Sequence, residues 1–433
     1  MHSVNDLAAL GDGPKLADVQ VDASCARPRV VLYSHDTMGI GHVRRNMLIA
    51  QQLAGSPLHC EVLLLTGALE AGAFALPPGV DCLSLPAISK DQDGGYRPRR
   101  STMLFRELIE FRSKVIRAAV EGFEPDVLIV DKVPRGACGE LDSTLTLCRD
   151  HGRPRCVLGL RDVLDDPDVV RHEWQTDSSE AVIGELYDSV WIYGDPQVYN
   201  PVREYKFSQQ VAAKVRFVGY LDQRERLAIG SREHDEMLYS LDLPLGRLIL
   251  CMVGGGQDGE QLAEAFVGLE LPPHCHGVLV AGPFMPPDAL RRLRHRAVQS
   301  QRMRVLDFVN EPDALVARAD RVITMGGYNS ICSSLSFAKR TLVVPRVRPR
   351  REQAIRAERL RELGLVDVLS SDDISSQRIA EWLAADLLPP ETHGLIDLSG
   401  LERLPGLLRD VLCGNSQKRA MQLDRKDVRN AAG

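Results

Sequence analysis

A histidine and an aspartate in the first half of the chain could together carry proton-transfer chemistry. His42 follows Gly41 at the predicted start of a helix, shortly after an apolar strand that ends at Ser34. A histidine there could take a proton from an acceptor hydroxyl or contact a phosphate oxygen, and the helix N-terminus favours its neutral form, which suits a base. Asp131 stands at the carboxyl end of another predicted strand, where open α/β sheets place functional side chains, so it could orient the base or bind an acceptor. His35 lies in the same loop and competes for the role of base. Helix capping or packing would explain His42 equally well, and loop capping would explain Asp131.

A second candidate site is an anion cradle within residues 321–353. Gly326 and Gly327 remove the Cβ atoms from a predicted strand-to-helix turn, so a ligand can approach the backbone closely. Asn329 and Ser330 follow where the helix begins and can add side-chain donors to its free N–H groups and to the positive end of its dipole. A well-capped crossover between a strand and a helix would give the same pattern.

A glycine-rich turn opens each half of the chain. Gly39 and Gly41 lie in the first turn, and the segment 254–259 (GGGQDG) forms the second. The first turn does not match the dinucleotide fingerprint, because Arg44 stands where the third glycine is required, and neither turn carries the Gly-Lys-Ser/Thr of a P-loop. The two turns together predict a pair of lobes that each aim backbone donors at a shared cleft.

Alternating strands and helices must position these residues. Continuous apolar runs predict buried parallel strands, apolar spacing over 102–120 predicts an amphipathic helix, and the polar segment 90–100 predicts a loop. The fold class that follows is α/β, with two Rossmann-like doubly wound lobes facing a cleft. The predicted divisions are a disordered tail (1–27), a first lobe (28–222), a linker (223–240), a second lobe (241–397) and a C-terminal helix and tail (398–433).

Composition excludes several classes of protein. The formal net charge of −6 over 433 residues argues against general nucleic-acid binding. No apolar run approaches the ~20 residues of a membrane span, and the N-terminus lacks the pattern of a secretory signal, so we expect a cytoplasmic protein. Ten cysteines include no CxxC pair, which favours free thiols over zinc or disulfides.

The chain resembles the GT-B nucleotide-sugar glycosyltransferases from about residue 29 to residue 370. The likeness is strongest to the family 28 branch, which includes the N-acetylglucosaminyltransferase that makes lipid II for peptidoglycan, and within it to a bacterial group of predicted glycosyltransferases. It is carried by the segments 38–42 (MGIGH), 254–257 (GGGQ), 307–310 (DFVN) and 325–353.

This resemblance implies roles for individual residues. The second lobe would hold the nucleotide sugar and the first lobe the acceptor. His42 would act as base or phosphate contact, within a first-lobe glycine loop that also holds His35, Gly39 and Gly41. The implied donor contacts fall into three groups: Phe308 and Val309 at the base; Gly255, Gly256 and Gln257 with Gly327, Tyr328, Asn329 and Ser330 at the diphosphate; and Glu352 and Gln353 at the sugar hydroxyls. Separately from the resemblance, a basic loop before Glu352 could neutralise the diphosphate or form a solvated face; it holds Arg346, Arg348, Arg350 and Arg351.

One residue departs from the family pattern. The family usually carries a glutamate in the helix after the Gly-Gly turn, where it binds the ribose hydroxyls, and Ser333 occupies that position here. A serine can make one such bond but not a bidentate pair. The departure therefore puts ribose affinity and the identity of the nucleotide in question.

The resulting hypothesis is a metal-independent glycosyltransferase that needs no cofactor. It would move a GlcNAc-type or related hexose from a nucleotide diphosphate sugar, with UDP as the default, to an acceptor hydroxyl with inversion. The acceptor is a glycan, a lipid-linked sugar or a small molecule; peripheral membrane contact and a monomeric or homodimeric state are compatible with it. A sugar-nucleotide 2-epimerase and a non-catalytic sugar-nucleotide-binding protein are the alternatives.

Overall fold

The computed structural model describes residues 27–35, 41–68, 76–90, 95–228, 236, 238–241, 243, 246–385 and 388–414. Two parallel sheets form its framework. The predicted α/β class with two Rossmann-like lobes is confirmed.

The first sheet is built from apolar segments between residues 29 and 217. Its strands are β1 (Arg29–Ser34), β2 (Glu61–Thr66), β3 (Val80–Ser84), β6 (Val127–Asp131), β7 (Arg155–Arg161), β8 (Ser189–Tyr193) and β9 (Val215–Phe217). They pair in the order β3-β2-β1-β6-β7-β8-β9, all in parallel. The strand order reverses between β1 and β6, so the loops after these two strands diverge and leave a crevice at the carboxyl edge.

The second sheet repeats this arrangement. Its strands are β10 (Arg247–Met252), β11 (Cys275–Val280), β12 (Met303–Leu306), β13 (Arg321–Thr324), β14 (Arg340–Val343) and β15 (Asp367–Val368), in the order β12-β11-β10-β13-β14-β15. The order reverses between β10 and β13. The two glycine turns of this lobe follow these two strands.

Helices cover both sheets and connect their strands. Those before the second sheet are α1 (Gly41–Gly55), α2 (Phe105–Phe123), α3 (Asp142–His151), α4 (Pro167–Thr176), α5 (Ser179–Leu186), α6 (Pro201–Glu204), α7 (Gln209–Ala212) and α8 (Arg224–Ala228). Those after β10 are α9 (Glu260–Val267), α10 (Pro287–Val298), α11 (Pro312–Arg318), α12 (Tyr328–Ser336), α13 (Glu352–Glu362), α14 (Ser376–Ala384) and α15 (400–414).

The C-terminal segment returns to the first lobe. The Tyr220 N–H donates to the Asp397 carbonyl at 2.8 Å, and Leu221 forms an isolated antiparallel bridge with Ser399. Apolar side chains of α15, including Leu404, are fully buried in a core shared with first-lobe residues. Burial of these side chains stabilises the attachment of α15 to the first lobe.

Two local predictions need correction. Residues 90–100 are not only a loop, because β4 (Ile88–Lys90) and β5 (Tyr96–Pro98) pair as antiparallel strands. Ile88 and Tyr96 pack with Leu108 of α2 in a small apolar cluster. This packing holds the polar residues beside them in the two strands in extended conformation. The amphipathic helix predicted for 102–120 spans Phe105–Phe123.

Candidate active site

His42 and Asp131 meet at the point where the first sheet reverses its strand order. His42 lies in the first turn of α1, and Asp131 ends β6. The His42 Nδ1 and the Asp131 Oδ2 are 2.5 Å apart, and the side chains are 14% and 2% exposed. The two residues are 89 positions apart in sequence, and the neighbouring strands β1 and β6 bring them together.

The charge state of this pair defines which nitrogen can act as a base. Burial would raise the pKa of Asp131, but the charge of Arg45 and the hydrogen bonds from His42 and Arg45 outweigh burial and hold the pKa well below its ordinary value. An ionised carboxylate only accepts hydrogen bonds, so Nδ1 of His42 carries the proton and donates it to Asp131. Burial lowers the pKa of His42 to about 4, with Asp131 opposing the shift. The ring is therefore neutral at pH 7, and its Nε2 lone pair is available.

Arg45 binds the same carboxylate, although no sequence motif had singled it out. Its guanidinium donates to Asp131 Oδ1, and it lies over the ring of Tyr328, 5.5 Å from the ring centroid. Arg45 is 3% exposed. Arg45 could have been found from the sequence by its position one helical turn after His42, because residues three apart lie on the same face of a helix.

The first-lobe glycine loop is only partly described. Gly39 lies outside the described residues, and Gly41 begins α1. His35 is 3% exposed and meets His42 edge to face at 6.1 Å between ring centroids. Burial, Lys132 and His42 hold the pKa of His35 well below its ordinary value, so this ring is neutral too. The contact with His35 helps to hold the His42 ring in place.

The N-termini of two helices converge across the cleft. Asn329, in the first turn of α12, donates from its side-chain amide to the Gly41 carbonyl at 2.9 Å. Gly327 caps α12, and a Cβ placed there would meet no atom within 4 Å. The backbone at Gly327 is therefore open to a ligand, as the predicted anion cradle requires. Ser330 follows in the same turn, whereas Tyr328 is buried and packs in the apolar core.

The second glycine turn is fixed by close backbone contact. Gly256 has φ of 94°, and a Cβ there would lie 2.4 Å from the Ala281 carbonyl oxygen. Only glycine fits this position. Gly255 and Gln257 are exposed beside it. This turn follows β10, next to the turn after β13 that leads into α12.

The implied base contacts lie in the loop after β12. Phe308 is half-buried there and Val309 is 7% exposed.

Ser333 is engaged within the protein. Its hydroxyl donates to the Asp313 carboxylate, which also accepts from Arg44 of α1 at 3.2 Å. Asp313 is 2% exposed, and neither it nor Arg44 was singled out as functional from the sequence. A carboxylate does lie near the position of the missing glutamate, but it comes from α11 and is held by a first-lobe cation.

Glu352 and Gln353 differ in what they offer a ligand. Glu352 is 4% exposed; its Oε1 accepts from Arg346 at 2.9 Å, and its Oε2 has no hydrogen-bond partner. Burial would raise the pKa of Glu352, but Arg161 and Arg346 hold it below its ordinary value, so the free oxygen is an anionic acceptor. Gln353 Oε1 accepts from the Arg346 N–H at 3.1 Å and shapes the loop.

The basic loop before α13 binds the first lobe. Arg351 donates to Asp166 at 2.9 Å and its backbone N–H donates to Asp165 at 2.7 Å. Arg350 pairs with Asp165 and with Glu173. These contacts differ from the implied donor role of Arg351, because carboxylates of the first lobe already neutralise the charges.

A buried ion pair lies beneath this loop. Arg356 of α13 and Asp162 after β7 are both 0% exposed, with nitrogen–oxygen distances of 2.7 to 3.0 Å. Tyr220 also donates to Asp162 at 2.9 Å. The pair joins the second lobe to the first and was not identified from the sequence.

Within the described ranges, no group of three or more His, Cys, Asp or Glu side chains could hold a metal ion. In the same part of the chain, no helix is long and apolar enough to cross a membrane.

Residues 287–394 match the family model described as the glycosyltransferase family 28 C-terminal domain. This span contains Phe308, Gly327, Ser333 and Glu352. No curated protein matches the chain significantly. The match confirms the predicted relation to family 28 for this part of the chain and supports the predicted class of enzyme.

Solved structures of similar architecture include two glycosyltransferases and an epimerase. The calicheamicin glycosyltransferase CalG4 has a TM-score of 0.52 at 15% identity, covering 90% of this chain and 98% of its own. The glycotransferase of kitacinnamycin has a TM-score of 0.57 at 17% identity, covering 90% and 100%. The UDP-GlcNAc 2-epimerase from Neisseria meningitidis, bound to UDP-GlcNAc, has a TM-score of 0.59 at 12% identity, covering 89% and 100%. At these identities the likeness shows the fold, and that fold is GT-B.

Proposed function

We propose, from the family 28 domain in the second lobe and the GT-B fold of the whole chain, that the protein transfers a sugar from a nucleotide diphosphate sugar to an acceptor hydroxyl. The observation that carries this proposal is the His42–Asp131 pair. It presents a neutral imidazole, with the Nε2 lone pair free, at the carboxyl edge of the first sheet. This edge faces the open N-terminus of α12 in the second lobe.

The proposed reaction is a direct displacement. The acceptor O–H bond breaks, its proton passes to His42 Nε2, and the oxygen bonds to the anomeric carbon. The bond from that carbon to the diphosphate oxygen breaks, and the electron pair leaves with the nucleotide. Asp131, at 2.5 Å, stabilises the imidazolium that forms. One displacement inverts the anomeric configuration.

The second lobe would stabilise the leaving diphosphate without a metal. Backbone N–H groups at the start of α12 and in the turn 254–257, apart from the Gly256 N–H that donates to the Val253 carbonyl, are preorganised donors. Such donors stabilise most strongly where negative charge develops. The free Oε2 of Glu352 would accept from a donor-sugar hydroxyl. Phe308 would contact the base, with UDP as the default nucleotide.

A donor screen tests this proposal. Thermal unfolding would be followed with UDP-, GDP- and dTDP-sugars, since a ligand that binds the folded state raises the melting temperature. The donor that binds would then be tested for transfer to a broad panel of acceptors. A protein that responds to none of these sugar nucleotides would contradict the proposed function.

The 2-epimerase alternative has a direct test. The epimerase from Neisseria meningitidis shares the fold, and the ionised Glu352, with one free oxygen, could serve elimination chemistry as well as sugar binding. Incubation with UDP-GlcNAc without an acceptor separates the two. Formation of the 2-epimer would support the epimerase, whereas inertness or slow hydrolysis supports the transferase. Donor binding without turnover over the acceptor panel would favour a non-catalytic binding protein.

Asp131→Asn should lower kcat by about 10²–10⁴-fold, which is the usual range for general acid–base catalysis. The amide cannot stabilise the imidazolium, and its NH₂ group can favour the wrong His42 tautomer. Rate measurements at saturating donor and acceptor check this. Asp142→Asn is a matched control, because Asp142 is part-buried and paired with an arginine, Arg135, but does not contact His42. Equal rates for the two variants would remove Asp131 from the mechanism.

A further inference from the structure

Two cations of the first lobe stand beside the His42–Asp131 pair without partners. Lys132 directly follows Asp131, and its backbone N–H donates to the Gly159 carbonyl at 2.8 Å. Gly159 is two residues before Arg161, which ends β7. The register of β6 and β7 therefore brings both cations to the carboxyl edge of the sheet.

Neither of these side chains forms a hydrogen bond or ion pair with any described residue, and the Arg161 Nε is buried without a partner. Five other arginines at this cleft each bind at least one carboxylate; they are Arg45, Arg346, Arg350, Arg351 and Arg356. Lys132 and Arg161 differ from these five, and both are less exposed than the side chain of Arg348 in the loop before α13.

Desolvation of these two cations outweighs the effect of the carboxylates near them. Burial lowers the pKa of Lys132 to about 7, and the positive charges of Arg161 and Arg350 act in the same direction. Burial also lowers the pKa of Arg161 to about 10, with Glu352 opposing the shift. A half-buried charge without a direct partner is unfavourable, and an anionic ligand would relieve it.

The backbone at Lys132 carries a second sign of function. Its φ is 68°, in the left-handed region that side chains other than glycine rarely adopt. Such strain concentrates at ligand-binding and catalytic sites. Here it turns the chain sharply after Asp131, so that the lysine remains at the cleft.

We propose that Lys132 and Arg161 form a subsite for a carboxylate or phosphate group of the acceptor, beside the hydroxyl that His42 deprotonates. This inference rests on the proposed function. Both cations belong to the first lobe, whereas the open N–H groups proposed for the donor diphosphate belong to the second. An arginine fork and a lysine point charge together suit a planar or tetrahedral oxyanion.

Direct binding of sulfate tests this subsite, because sulfate keeps its charge between pH 6 and pH 9. Calorimetric titration of the full chain at pH 6, with ionic strength held constant by chloride, should show binding that weakens at least tenfold in Lys132→Met and in Arg161→Met. Arg361→Met is the matched control, because Arg361 is exposed and pairs only within α13. Absence of sulfate binding, or equal affinity in all four proteins, would overturn the subsite.

The pH dependence gives an independent readout. Lys132 is faced by Arg161 and Arg350, by the carboxylates of Glu352 and Asp131, and by the neutral rings of His35 and His42. A lysine with a lowered pKa is charged below that pKa and loses its charge above it. Sulfate affinity should therefore fall from pH 6 to pH 9 in the wild type and stay constant in Lys132→Arg. A parallel fall in both would overturn the assignment to Lys132.

Competition with UDP separates the two sources of an anion. Sulfate binding that depends on these cations and persists in saturating UDP supports the acceptor. Displacement of this sulfate by UDP would assign the cations to the donor diphosphate and overturn the acceptor subsite. If the cations bind sulfate but no sugar nucleotide binds, the proposed function fails while the anion site stands, so the two failures are distinguishable.

Discussion

We expect His42→Ala to lower kcat/KM for sugar transfer by about 10²–10⁴-fold, which is the contribution typical of a positioned general base. The imidazole Nε2 is the acceptor for the hydroxyl proton, and the described part of the cleft offers no second base held by a carboxylate in this way. Steady-state kinetics with the donor identified by thermal shift would measure the effect. The donor-induced rise in melting temperature should remain, because the donor loops belong to the second lobe.

His172→Ala is the control for this variant. His172 is exposed on α4, and its replacement should leave transfer unchanged. The pH profile adds a further check, because burial lowers the pKa of His42 to about 4. The base is active when unprotonated, so activity should persist down to about pH 5 and fall as the pH drops through the pKa. Near-full transfer by His42→Ala with an intact donor response would exclude His42 as the base.

The second large effect concerns the buried ion pair between the lobes. We expect Arg356→Met to lower the free energy of unfolding by about 3–5 kcal/mol, because it leaves the fully buried Asp162 carboxylate without its cation. Tyr220 would remain as a hydrogen-bond donor, but one neutral donor cannot replace a guanidinium that contacts both carboxylate oxygens. Denaturant unfolding followed by tryptophan fluorescence would measure the loss.

A double substitution and a surface control make this prediction specific. Combining Asp162→Asn with Arg356→Met removes both charges, so the double variant should be more stable than Arg356→Met alone. Arg361→Met, on the exposed side of the same helix, should leave stability unchanged within error. A loss in Arg356→Met no greater than in Arg361→Met would show that the pair is unimportant for stability.

The strands and glycine turns of both lobes were predictable, because each is specified by residues that are consecutive in the sequence. The apolar run at 127–130 predicts a buried strand from consecutive residues alone, and β6 (Val127–Asp131) is fully buried. The glycine turn at 254–259 was likewise visible, because a backbone constraint such as that at Gly256 demands a particular residue type. The pair of strands β4 and β5 was missed, because three-residue strands with polar side chains carry no sustained period.

Contacts between the lobes could not be predicted from the sequence. Asp162 and Arg356 are 194 residues apart, and nothing in the local pattern of either residue points to the other. The same holds for Arg44 and Asp313, 269 residues apart. His42 and Asp131 could be singled out individually from their places at element ends. Their contact depends on the strand order, which sequence periodicity does not specify.

The return of the C-terminal segment to the first lobe constrains how substrates can enter. The chain passes from the first sheet to the second after Leu221, and the returning segment bridges back at Ser399, directly beside that exit. The chain therefore crosses between the lobes twice, at neighbouring points. Two neighbouring connections act as one hinge, so the lobes can rotate about the hinge but cannot slide apart. Such a rotation would have to release the Asn329–Gly41 hydrogen bond and the ion pairs of Arg350 and Arg351, and it would disturb the Arg44–Asp313 and Arg356–Asp162 pairs as well. The frequency of opening, and hence the rate of product release, would then depend on ionic strength.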